Sequence, residues 1–246
     1  MALQASPESQ ALLLELQAFD TKLSQLDHRA KSLSEIAILD GLATEGQALR
    51  RGLAEQNGDL EDVKLELSRV ESDVKVVETR IGRDAERLQS SSSVKDVAAL
   101  EQELTALRKR LGDLEEIELS VMEKLEQQQS VAETASAQLA ALGERVATVE
   151  AQRDAALTTI IADRTVAAVG RRAIEATVPA DLLALYERQR ARYGTGASML
   201  RGGVSMASGV KLLENEMQAI RAAAPDEIIM CASSEAILVR TGESGL

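Results

Sequence analysis

Apolar residues in this chain recur in alternating steps of three and four almost from the start. Leu12, Leu16, Phe19, Leu23 and Leu26 open the series, with the spacing that lines one seam of a coiled-coil helix. Ser6 and Pro7 precede it as N-cap and first-turn residue, so a helix is predicted to begin there. Between Lys31 and Leu39 the phase slips. Leu33, Ile36 and Leu39 follow in consecutive threes, a stammer that overwinds or interrupts a coiled coil, and a kink is expected near 31–36. From Leu39 the register is regular through Leu60, Val63, Leu67, Val70, Val74, Val77 and Ile81 to Leu88. It passes over Asn57-Gly58, a dipeptide that elsewhere marks a turn. Gln89 and the serines Ser90 to Ser93 then predict a hairpin turn near 89–94. A second array starts near Val94 and runs through Val97, Leu100, Leu104, Leu107, Leu111 and Leu114 to Val149. Helical composition continues to Thr177, and Pro179 stops it.

The two arrays fit each other as antiparallel partners. Leu88 with Val97, Ile81 with Leu104, Val74 with Leu111 and Leu60 with Leu125 share one index sum. Val77 with Leu107, Val70 with Leu114 and Val63 with Val121 share the sum one lower. This register sets Gln56 against Gln128, a polar pair on an otherwise apolar seam that would fix register and partner choice. Continued toward the base, the same sum makes Ile161, Val166 and Val169 face Leu23, Phe19 and Leu16. The expectation is one antiparallel hairpin about 120 Å long, at 1.5 Å per residue. A parallel dimer of extended chains is the rival arrangement, and it lacks the matched sums and the serine turn.

Composition supports long helices over a globular core. Phe19, Tyr186 and Tyr193 are the only aromatic residues of the 246, whereas aromatics dominate most compact cores. No proline falls between Pro7 and Pro179. The net charge of −12 disfavours polyanion binding, which rests on Lys and Arg contacts to phosphate. A local exception is the stretch carrying Arg188, Arg190, Arg192 and Arg201 with no acid among them. No apolar run is long enough to span a bilayer, and the first residues lack a signal-peptide pattern, so a cytoplasmic location without membrane contact is expected. A lone cysteine excludes an intramolecular disulfide.

Catalytic chemistry is hard to find. His28 is the sole histidine and lies off the seam. Gly194-Thr-Gly196 and Gly202-Gly203 read as flexible hinges, since neither completes a phosphate-binding fingerprint. The glutamate runs read as solvated coiled-coil faces. No catalytic residue and no cofactor is expected.

Beyond the hairpin, Pro179 to Arg192 reads as a short amphipathic helix and Tyr193-Gly-Thr-Gly196 as a break. The terminal stretch carries Ser205-Met-Ala-Ser208 and Cys231-Ala-Ser-Ser234. Cysteine at all four ends of these two tetrapeptides would give the C-x-x-C pair of a four-thiolate zinc site. Only Cys231 is present, and neutral hydroxyls are poor zinc ligands, so no metal is expected.

Taken with Val178-Pro-Ala-Asp-Leu-Leu-Ala-Leu-Tyr186, Ile220-Arg-Ala-Ala-Ala-Pro-Asp-Glu-Ile228 and Ile237-Leu-Val-Arg240, the chain resembles the bacterial C4-type zinc-ribbon proteins with an N-terminal coiled-coil hairpin, in their actinobacterial form. The resemblance puts the four metal positions on Ser205, Ser208, Cys231 and Ser234, and replaces the glycine that follows the last ligand with Glu235. It implies a ribbon held without zinc, with a hairpin of Ile228–Met230 against Ile237–Val239 and a short helix near Leu213–Ala222. The fold class expected is mostly α: a long antiparallel coiled-coil hairpin (1–178), a short helix and linker (179–200), and a small α+β ribbon-like module lacking zinc (201–246). The resemblance also implies adaptor or chaperone-like relatives. The function expected is a non-enzymatic protein-interaction scaffold, a monomer or weak homodimer, with protein partners. Candidate contacts are the hairpin tip at Arg87, Ser91, Ser92 and Lys95, and the Arg188, Arg190, Arg192 and Arg201 stretch. The alternative is RNA or DNA binding through that stretch and the ribbon.

Overall fold

A computed structural model describes residues 3–246. The protein is mostly helical, with a long coiled-coil hairpin and a small C-terminal strand module. Four helices come first: α1 (Pro7–Lys31), α2 (Ser34–Ser90), α3 (Val94–Glu175) and α4 (Ala180–Tyr193). Then follow β1 (Ala197–Arg201), β2 (Val204–Ser205), α5 (Glu214–Ala222), β3 (Ile229–Met230) and β4 (Ile237–Val239). Two compact units result. Glu35–Ala151 forms one; residues 1–34 together with Gln152–Leu246 form the other.

In the first unit α2 and α3 run antiparallel. Glu45 pairs with Arg145, Glu66 with Lys124, and Arg80 with Glu103, so partners on α3 fall as positions on α2 rise. Seam residues Val63, Val77, Leu104, Leu114 and Val121 are buried, as the three-four spacing requires. Gly46 is also on the seam. A Cβ there would lie 3.2 Å from Leu142 Cδ2, so its absence lets the leucine approach closely.

The basal unit departs from the simple pattern. Ser6 accepts the Ser9 N–H at 3.2 Å and caps α1. Helix α1 ends at Lys31, where the Ser32 N–H turns back to the His28 carbonyl, and α2 restarts at Ser34. The expected continuation of the seam fails here. Ile161, Val166 and Val169 are 62, 68 and 55% exposed and do not face Leu23, Phe19 and Leu16. Ile160 and Ala167 are buried in their place. Gly170 lies under the Phe19 ring, with 2.5 Å from Phe19 Cζ to where a Cβ would stand. The cause is the helix break. It frees α1 to take its own rotation against α3, so the heptad count of α2 no longer dictates which face of α3 it meets.

The strands form one sheet in the order β2-β1-β4-β3, with β1 and β4 parallel and the outer pairs antiparallel. Alternation along β4 divides its side chains between two cores. Ile237 and Val239 join Leu13, Leu16, Leu182, Tyr186 and Ala197. Leu238 joins Leu200, Leu212, Met217, Ile220 and Cys231 under α5. The sheet is thus packed on α1 and α4 by one face and on α5 by the other. Strand β1 starts inside the stretch expected as linker. Gly202 and Gly203, read from sequence as a hinge, instead form the tight turn between β1 and β2, with φ of 53° and 77°; such positive angles suit glycine.

Candidate functional site

Of the four knuckle positions of the terminal module, Ser205 and Ser234 meet Cys231 and Ser208 is engaged with its own loop. Cys231 is buried, and its thiol donates to Ser205 Oγ at 3.3 Å. Ser208 turns its hydroxyl to its own loop, accepting the Val210 N–H at 3.3 Å. Ser234 Oγ is buried without a partner at hydrogen-bond geometry. Burial pushes the Cys231 thiol pKa up, but the Ser205 and Ser234 hydroxyls and the Ser233 and Ser234 N–H groups outweigh it, and the net shift is downward. One thiol and three hydroxyls do not fit zinc, which takes thiolate, imidazole or carboxylate. Among the described residues no group of three His, Cys, Asp or Glu side chains could hold a metal. The backbone nevertheless keeps an unusual turn. Glu235 has φ of 56°, a left-handed conformation that is costly for a residue with a Cβ.

A polar hub at the base was not foreseen. Asp20 is 7% exposed. It accepts from Arg171 Nε at 2.7 Å, Arg190 Nη1 at 3.1 Å and the Tyr186 hydroxyl at 2.7 Å. Glu187 pairs with both arginines, and Glu175 with Arg171. One turn before Asp20, Gln17 Oε1 accepts the N–H groups of Gly196 at 2.8 Å and Ala197 at 3.3 Å. Helices α1, α3 and α4 and the entry to β1 are therefore joined by a single network. Burial lowers the tendency of Arg171 to stay charged, but its bonds to Asp20 and Glu187 raise its pKa overall. Burial and then the Asp20 bond push the Tyr186 hydroxyl up. Gly196 sits so close that a Cβ would be 2.5 Å from the Tyr186 ring.

This network changes the meaning of the basic stretch. Arg190 is bound to Asp20 and Glu187, and Arg201 pairs with Glu243 at 2.9 Å. Arg192 stacks on Tyr193, 5.2 Å from its centroid. Arg188 alone is exposed without an ion pair or stacking partner among the described residues. At the tip, Arg87 bonds Asp84 at 3.4 Å, Ser91 is half-buried, and Ser92 and Lys95 are exposed. A cavity of about 370 Å³ opens there between Arg87, Ser90, Ser91, Asp96 and Glu103, and Val94 beside it is 87% exposed. Gln56 and Gln128 are both half-buried on the hairpin. Gln56 Oε1 is buried and unpartnered.

The antiparallel helical pair agrees with the comparisons. The CT398-like coiled coil hairpin domain family matches residues 16–194. The chain belongs to that family. It is 34% identical over 239 residues to an uncharacterized protein of Mycobacterium tuberculosis, Rv2229c in strain H37Rv, covering 97% of this chain and 98% of that one. A solved structure from Mycobacterium smegmatis superposes with a TM-score of 0.87 at 32% identity, over 97% of this chain and 100% of that one. CT398 of Chlamydia trachomatis shares the fold at 17% identity, with a TM-score of 0.66 over 95% of this chain and 98% of that one. The names of these relatives specify no reaction. No helix among the described residues is long and apolar enough to cross a membrane.

Proposed function

We propose that this protein is an interaction scaffold or adaptor, working through its coiled-coil hairpin and a zinc-ribbon-type module that has lost its metal. The observation that supports this most is the strand module itself. Its knuckle donors do not fit zinc, yet its sheet shares a core with α1 and α4 through Leu13, Leu16, Leu182 and Tyr186. A module stabilised by packing can present a fixed surface without a cofactor. The hairpin tip is the partner surface we favour, because Arg87, Lys95 and Val94 are exposed there around an open polar cavity. Affinity purification from native lysate tests it, comparing the wild type with the double variant Arg87→Glu, Lys95→Glu. Loss of a captured protein in the variant supports the reading; identical capture contradicts it for the tip. The nucleic-acid alternative finds less support, since Arg190 and Arg201 are neutralised by carboxylates. Salt-sensitive retention of labelled RNA that depends on Arg188 and Arg192 would revive it.

A further inference from the structure

Near its C-terminal end α3 is apolar on two sides. Ile160 and Ala167 are buried, Gly170 lies under Phe19, and Ile174 packs against the basal core. At about 3.6 residues per turn these share one side of the helix. Ile161, Val166 and Val169 fall on the other side, where they are left in solvent, and the exposed residues Thr158, Ala162 and Thr165 fill the space between them. Both threonine hydroxyls are turned back along the helix, donating to the carbonyls of Asp154 at 2.7 Å and Ile161 at 2.8 Å. The face therefore carries no unpaired hydroxyl. Charges of opposite sign close its two ends. Asp154 is 63% exposed and its one ion-pair partner among the described residues is its chain neighbour Arg153. Arg172 is exposed and in no ion pair among the described residues, with its Nε donating to the Ala168 carbonyl.

This face is complementary to itself when turned end for end. Against a second copy, Ile161 meets Val166, Thr158 meets Val169 and Ala162 meets Thr165 at one index sum. Asp154 meets Arg172 at the sum one lower, the same alternation that the layers of the hairpin follow. A parallel pair would instead set Asp154 on Asp154 and Arg172 on Arg172.

We propose that this face of α3 joins two copies of the chain, antiparallel about a twofold axis, with an Asp154–Arg172 ion pair at each end. Three large aliphatic residues per copy, with the threonines and alanine between them, fall well short of the about 20 residues a side of a standard interface. The dimer is accordingly weak and forms at high chain concentration. It uses neither the hairpin tip nor the strand module, so it stands or falls apart from the scaffold reading.

Sedimentation equilibrium of the full chain, from about 5 to 500 µM, tests it. The wild type should dimerise reversibly. Ile161→Asp should weaken the dimer about tenfold or more with an unchanged thermal midpoint, since Ile161 is exposed in the single chain. Asp154→Arg and Arg172→Asp should each do the same, because either one sets like charges together at both ends. Mixed in equal amounts, the two charge variants should recover a dimer, since each supplies the charge that the other lacks. A wild type that stays monomeric at the highest concentration, a dimer undiminished by Ile161→Asp, or charge variants that do not recover on mixing would each overturn the proposal.

Discussion

Glu35–Ala151 and the basal unit are built on different principles. The outer arms repeat one device, an aliphatic layer every three or four residues, bordered by pairs such as Glu66–Lys124 whose side chains are about half exposed. Such exposed pairs contribute well under about 1 kcal/mol each, so the seam sets the register and stability is spread along it. The base concentrates its specificity. Asp20, Arg171, Arg190, Glu187, Tyr186 and Gln17 meet in one network, and the sheet beside it has a core on each face. Damage to one residue should therefore matter little in the arms and much in the base.

The largest contrast is expected at Asp20. Asp20→Ala takes from Arg171, whose side chain is 14% exposed, one of its three carboxylate partners, and takes from the Arg190 guanidinium and the Tyr186 hydroxyl an acceptor each. Breaking such a pair from one side costs about 3 kcal/mol or more, read as a lower urea midpoint. Glu66→Ala, in the arms, should change the unfolding free energy by less than about 0.5 kcal/mol. Equal effects would abolish the distinction between the two regions. Next in size is Gly196→Ala, which drives a methyl group against the Tyr186 ring and should cost about 2 kcal/mol by overpacking. The corresponding Gly58→Ala in α2 meets open space and should stabilise by somewhat under about 1 kcal/mol.

Smaller effects refine the picture of the arms. Replacing Gln56 and Gln128 together by leucine removes a buried oxygen that has no partner. Thermal stability should rise by about 1 kcal/mol, while analytical ultracentrifugation should show looser pairing or new oligomers. A strongly destabilised double variant would mean that these positions do not lie together on the seam. Smallest is Glu235→Gly. Relief of the left-handed backbone is partly offset by the greater freedom of glycine in the unfolded chain, for a net gain of at most about 1 kcal/mol.

These contrasts follow how the two regions are written in the sequence. The hairpin was legible because each layer repeats and because the serine turn stands between two arrays whose index sums match. The base was not, since Gln17, Asp20, Arg171 and Glu187 lie off the apolar seam and are assembled only by tertiary contact. The break at Ser32 to Ser34 was visible as a stammer, but its consequence for which face of α3 meets α1 was not. Ala197-Ser-Met-Leu-Arg201 has neither clean alternation nor β-branched residues, so β1 was hidden. The Gly202-Gly203 pair did carry a signal, since two glycines suit a two-residue hairpin turn. At the knuckles the sequence named the positions but not the arrangement, in which Ser205 meets Cys231 while Ser208 turns to its own loop.

Packing on α1 and α4, through Leu13, Leu16, Leu182 and Tyr186, holds the strand module. Native-state hydrogen exchange at the amides of Ile237, Leu238 and Val239 tests it most directly. Protection should be the same with and without excess chelator, and should fall sharply in Leu16→Ala, whose side chain is fully buried in the shared core. Protection that collapses on chelation, or that survives Leu16→Ala undiminished, would contradict it.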